Sequence, residues 1–226
     1  MLRQLFTFDS RRTFRPLRGH CTADGGGGGL RLHEVSLAQL RAGELLSAVA
    51  APPGVPLNAW LAVHVVDFYN AASLLYGLVA EECSCPSMTA GVRFEYLWPL
   101  AAGAQPARLP ARDYVDKLLA WVAALLDDPA VFPAAEGAPF PADFVETVRA
   151  IHRRIFRVYA HVLYHHLAAI SAAGAEAHIN TCLSHLAVFS TAHGLIEAKE
   201  MAPLQELIDR LAAARGGAAP PLQRAA

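Results

Sequence analysis

Residues 57–82 read LNAWLAVHVVDFYNAASLLYGLVAEE. This run is long and apolar on nearly every face of the helix it predicts, the signature of a helix buried in the middle of a fold. Asn58 stands where an N-terminal cap belongs. The preceding residues 51–56, APPGVP, stop any helix arriving from upstream and mark a loop. A buried central helix so bounded predicts a mainly helical, all-α bundle arranged around it.

Working outward, residues 30–46 (LRLHEVSLAQLRAGELL) space their apolar side chains at helical intervals, with Gly43 as a weak spot. Before them, residues 1–29 form an arginine-bearing arm ending in ADGGGGGL, whose consecutive glycines carry too much backbone entropy to order unaided. Downstream of the central run, CSCPSMTAGVRFEYLWPLAAGAQPARLPAR suits a loop with at most a small β-hairpin at Phe94 to Trp98. Asp113 to Leu126 is helical by period, and DDPAVFPAAEGAPFPADF packs an ordered loop with Phe132, Phe140 and Phe144. Phe144 to Ala173 reads as one long helix and Ala175 to Ala192 as another. Pro203 opens a last helix ending near Ala214. The expected organisation is a flexible arm (1–29), one helical domain (30–214) and a disordered tail (215–226), without internal repeats.

Bulk properties narrow the function. A chain of 226 residues fits one core. With 54% hydrophobic and 17% charged residues it is not intrinsically disordered. Nineteen basic against twenty acidic residues, a net charge of −1, give no positive field for a nucleic acid backbone. The arginine-interrupted N-terminus is neither a secretory signal nor a membrane span, and the apolar runs elsewhere are too short to cross a bilayer. Cys21, Cys83, Cys85 and Cys182 therefore read as reduced thiols or metal ligands of a soluble cytoplasmic or nuclear protein.

Three groups carry chemistry: Cys83 with Cys85, the histidines of YAHVLYHHL, and the arginines of HRRIFRVYAH. Two thiolates from a C-x-C pair and imidazoles from His161, His165 and His166 suit tetrahedral zinc. The simpler alternative is two reduced cysteines in a loop and hydrogen-bonded core histidines. Residues four apart on a helix lie about 40° apart around its axis and residues five apart about 140°, so geometry favours His161 with His165. There is no H-E-x-x-H arrangement and no local carboxylate base, which points to structural rather than catalytic zinc. Arg153 and Arg157 overlie one another with Arg154 at the edge, a set able to grip one phosphate or, alternatively, to form a solvated charged face. Arg149 and His152 extend that positive stripe. His64, His178, His185 and His193 read as structural. No nucleotide-binding loop or nucleophile elbow is present.

From about Thr13 to Leu211 the chain resembles the Mob (phocein) family, on the segments RTFRP, LNAWLAVHVVDFYNAASLLYG, CPSMTAG with FEYLW, AAEGAPFPADF, FRVYAHVLYHH, EAHINTC and GLIEAKEMAPLQELIDRL. RTFRP, AVHVVDF and GAEAHINTC are most similar to the third animal subgroup. The resemblance implies a helical bundle in which zinc ties a cysteine loop to a histidine-bearing helix. It also implies a non-enzymatic adaptor that binds NDR/LATS-type kinases or phosphorylated MST-type kinases in Hippo-like growth control. By the same resemblance His161 and His166 are the zinc histidines, overriding the geometric preference for His165. Arg153, Arg154 and Arg157 match the positions that contact phosphothreonine peptides.

Two features depart from the family. Its cysteines are separated by four residues, whereas Ser84 alone separates Cys83 from Cys85, so zinc retention at Cys83, Cys85, His161 and His166 is an expectation to be tested. Val55, Pro56 and Ala59 stand where well-known members are acidic, and Asp67 is the acid that remains, which predicts poor binding of basic NDR/LATS-type segments and favours MST-type partners. Against the adaptor stand two alternatives, a zinc-dependent hydrolase built on the histidine cluster and a degenerate paralogue that has lost zinc and kinase binding.

Overall fold

Helix α1, Leu57–Gly77, is the spine of the molecule. The structure, a computed structural model, describes residue 45 and residues 48–99, 105–135 and 138–214. The arm, nearly all of the helix expected before residue 47, and the tail at 215–226 lie outside the described residues. The chain enters α1 through Pro56, at φ −59° and ψ 136°, without any side-chain cap. Asn58 lies inside the first turn rather than capping it, because the proline ring already fixes the backbone at the entry. Burial follows one stripe, with Leu61, Val65, Phe68, Tyr69, Ala72, Leu75 and Tyr76 inward. The expectation of burial on all faces is thus corrected: Leu57 and Val63 remain 50% and 55% exposed, and Leu74 and Leu78 also face outward.

The chain then forms a short hairpin, strands β1 (Thr89–Ala90) and β2 (Phe94–Glu95), antiparallel with Ala90 opposite Phe94. Gly91 turns it at φ +63°, a backbone region that side chains disfavour. A bridge between Trp98 and Ala107 follows. Helix α2, Ala111–Leu126, starts two residues before the expected Asp113, again behind a proline, Pro110. The aromatic loop packs as expected, with Phe132 and Phe140 rings 5.2 and 4.4 Å from Phe144.

Helix α3, Phe144–His165, lies along α1 in the most extensive helix pairing of the fold and also supports β1. Its inner face, Val148, Ile151, Ile155, Phe156 and Tyr159, is essentially inaccessible. The single helix expected to Ala173 is broken at His166, whose φ of −129° and ψ of 20° separate α3 from α4, Leu167–Ala172. Helix α5, Glu176–Ala192, closes against α1 and α3. A one-turn helix α6 (Ala198–Met201), a 3-10 turn (Ala202–Leu204) and α7 (Gln205–Ala214) complete the chain. Pro203 therefore sits in the 3-10 turn rather than opening the last helix. The fold is mainly helical, with one two-stranded hairpin among the described residues.

Candidate metal centre and arginine pocket

Cys83 and Cys85 are held from both sides. The Cys83 amide donates to Val79 O at 2.9 Å, so the turn leaving α1 delivers this residue. The Cys85 carbonyl accepts from the Ala111 amide at the start of α2, at 3.0 Å. Opposite them, buried His161 donates from Nδ1 to Thr89 O at 2.9 Å, which leaves the Nε2 lone pair free. That nitrogen lies 3.6 Å from Cys83 Sγ, and His166 Nε2 lies 3.5 Å from Cys85 Sγ. All four ligand atoms fall within 4.8 Å of one another.

These distances test the fit. Zn–S bonds of about 2.3 Å and Zn–N bonds of about 2.05 Å at tetrahedral angles place sulfur and nitrogen about 3.6 Å apart. The two S···N separations match that edge, so the shortened C-x-C loop does reach both histidines. The break at His166 makes this possible, because on an unbroken helix its ring would point well away from that of His161. The geometric preference for His165 is corrected: its Nε2 pairs with Thr89 Oγ1 at 3.0 Å on the exposed side, outside the four-ligand set. Burial pushes His161 down to about 4 and lowers His166, so both rings are neutral near pH 7, the form a metal accepts. Burial and the neighbouring Cys83 raise the Cys85 thiol, an effect a bound cation reverses.

One turn earlier on α3, the arginines form a partly sheltered pocket. Arg157 donates from Nη1 to Tyr114 Oη at 3.1 Å and from Nη2 to Glu200 Oε1 at 3.4 Å, with its guanidinium 5.2 Å from the Tyr96 ring centroid. Arg153 Nε lies 3.6 Å from Glu200 Oε2. Arg154 is set 4.9 Å above Trp121 and 5.7 Å from Trp98, and donates to Ala150 O. The extension of this stripe is corrected. Arg149 pairs with Glu146 and Gly194 O, and His152 is wholly buried between Phe68 and Phe189 rings, bonded to Ser190 Oγ at 3.0 Å.

Residues 37–204 match the sequence model described as the Mob1/phocein family. The chain belongs to that family. It is 44% identical to "MOB kinase activator-like 1A" of Arabidopsis thaliana over 89% of this chain and 94% of that protein. It is 42% identical to "MOB kinase activator 3A" of Homo sapiens over 93% of this chain and 97% of the human protein. A Dictyostelium discoideum relative, "MOB kinase activator-like 1 homolog B", is 41% identical over 92% and 97%. The human relative shares the third-subgroup designation, while the plant relative is similar to the same degree.

Within this Mob chain, the residues that support the two sites were invisible to spacing. Thr89 orients His161 through its carbonyl, which no side-chain motif encodes. Tyr96, Trp98, Tyr114 and Trp121 back the arginines, and the aromatic run at 94–98 was the one local hint of them. Glu200 lies 43 residues beyond Arg157. His64 is structural as expected, stacked 4.1 Å from Phe189.

Proposed function

We propose that this Mob-family chain is a non-catalytic, kinase-regulating adaptor that takes phosphothreonine segments at Arg153, Arg154 and Arg157 and is braced by a structural zinc ion. The observation that carries the reading is the convergence of Arg153 and Arg157 on one anion position, occupied by the Glu200 carboxylate. Guanidinium pairs held this way accept phosphate oxygens through charge-assisted hydrogen bonds. The relatives named as kinase activators support the adaptor role. Calorimetric titration with phosphothreonine peptides tests it: Arg157→Ala is expected to lower affinity by at least about tenfold. Unchanged affinity would return the cluster to an ordinary charged face.

Zinc bound at Cys83, Cys85, His161 and His166 supplies a four-point link between the end of α1 and the end of α3. Such a set leaves a tetrahedral ion no open position for water, which disfavours the hydrolase alternative. The sites' retention argues against a degenerate paralogue. As to partners, the exposed face near the start of α1 offers Val55, Leu57 and Val63, with Asp67 as its acid. That surface favours phosphorylated MST-type kinases over basic NDR/LATS-type segments, in the cytoplasm or nucleus. A pull-down that recovers an NDR/LATS-type segment tightly and in a salt-sensitive way would overturn this preference.

A further inference from the structure

The anion position between Arg153 and Arg157 is filled from within the chain. Glu200 reaches it from α6, and its two oxygens divide between the two guanidiniums at 3.4 and 3.6 Å. Charge-assisted N–H···O bonds close to about 2.7–2.9 Å, so the carboxylate blocks the position without saturating it. Oε2 is buried and, beyond that 3.6 Å ion pair with Arg153, makes no hydrogen bond. The side chains of Arg153, Arg157 and Glu200 are 33%, 23% and 26% exposed, so the trio is sheltered yet open to an incoming group. Lys199, adjacent in sequence, is 77% exposed and pairs with Glu197 Oε2 at 2.7 Å.

We propose that Glu200 is a specificity-determining residue, an internal occupant of the anion position that a phosphate displaces and a ligand carboxylate does not. The inference rests on the phosphothreonine reading of the pocket. A ligand carboxylate exchanges one single charge for another and gains nothing. A phosphate brings a charge of about −1.5 to −2 and three acceptor oxygens, enough to bond both guanidiniums at short range. Glu200 thereby makes the pocket reject aspartate or glutamate in place of phosphothreonine.

Fluorescence polarisation with a degenerate phosphothreonine peptide library, and with its aspartate and unphosphorylated counterparts, tests this on the full chain. Glu200→Gln is expected to bind the phosphothreonine library about three- to fivefold tighter, the loss of one half-sheltered ion-pair competitor, and to begin to retain the aspartate library. Glu200→Asp, which keeps the charge but withdraws it, is expected to fall between wild type and Glu200→Gln. Wild type binding phosphothreonine while both variants bind it equally or more weakly would make Glu200 a strut and overturn the proposal. If neither wild type nor Glu200→Gln distinguishes phosphothreonine from the unphosphorylated library, and Arg157→Ala changes nothing, the phosphothreonine reading itself fails and takes this inference with it.

Discussion

At Gly91 two constraints meet on one atom that is not there. The backbone has φ +63°, and a Cβ added at this position would lie 3.0 and 3.1 Å from two ring carbons of Tyr164. That ring is held in place, because Tyr164 Oη donates to Pro203 O at 3.0 Å. Left-handed backbone alone costs an alanine about 1 kcal/mol, and the contact adds to it. Gly91→Ala is therefore expected to lower stability by about 2 kcal/mol in denaturant titration; a loss of about 1 kcal/mol would mean the ring moves freely, and one below about 0.5 kcal/mol would overturn both contributions. The same scale decides what could be read in advance about the sites. Cys83, Cys85 and the histidine triplet stand out by residue type and spacing, as do Arg153, Arg154 and Arg157. Glu200 and the Thr89 carbonyl do not, since one lies on a distant turn and the other is backbone.

Among the elements, α3 determines whether the four candidate ligands meet. Its last turn presents His161, and the break at its end presents His166 from a different direction. Removing the metal is expected to free the end of α3 from the C-x-C turn and lower stability by about 3 kcal/mol, roughly 6–12 °C in melting temperature for a chain of this size. Thermal melts with and without a chelator check this, alongside zinc quantification. His166→Ala should melt at the chelated temperature and be insensitive to chelator. Stoichiometric zinc absent from wild type, with melting unmoved by chelator, would sink the proposal. The helices themselves were legible as periodic apolar runs, because periodicity reports which face packs. The break was not: VLYHHLAAIS contains neither glycine nor proline, and the Cys85 thiol that the turned-out His166 meets lies 81 residues away. The run begins at Leu57 as read, but Asn58 does not cap it, since Pro56 fixes the entry by its ring and leaves a capping side chain nothing to do.

For the molecule as a whole, the interior carries a built-in sensitivity to acid. His64, His152 and His185 gather around Phe68 and Phe189 where α1, α3 and α5 meet. Burial pushes His152 down to about 3 and His185 to about 4, and lowers His64, with Asp67 too weak an influence to offset it. Above about pH 6.5 these rings are neutral folded or unfolded, and stability is full. As pH falls below that value the unfolded chain takes up protons that the folded core refuses, so stability is lost from about pH 6.5 down towards 3. A loss on the order of 3 kcal/mol between pH 7 and pH 4.5 is expected from denaturant titrations. His152→Gln or His152→Leu should flatten that dependence, and a variant with the wild-type slope would locate the acid sensitivity elsewhere.

An ion at the four candidate ligands would also change how the chain carries tension. With an ion in place, force entering at α1 passes through Cys83 to His161 and onward, bypassing the 78-residue separation between them. The hairpin, α2 and the aromatic loop then carry no load, and roughly 260 Å of extended chain stays hidden until the ion is released. A molecule that couples kinases under pull would hold Arg153, Arg154 and Arg157, which precede His161 on α3, inside that shielded segment, and leave Glu200 on the loaded side.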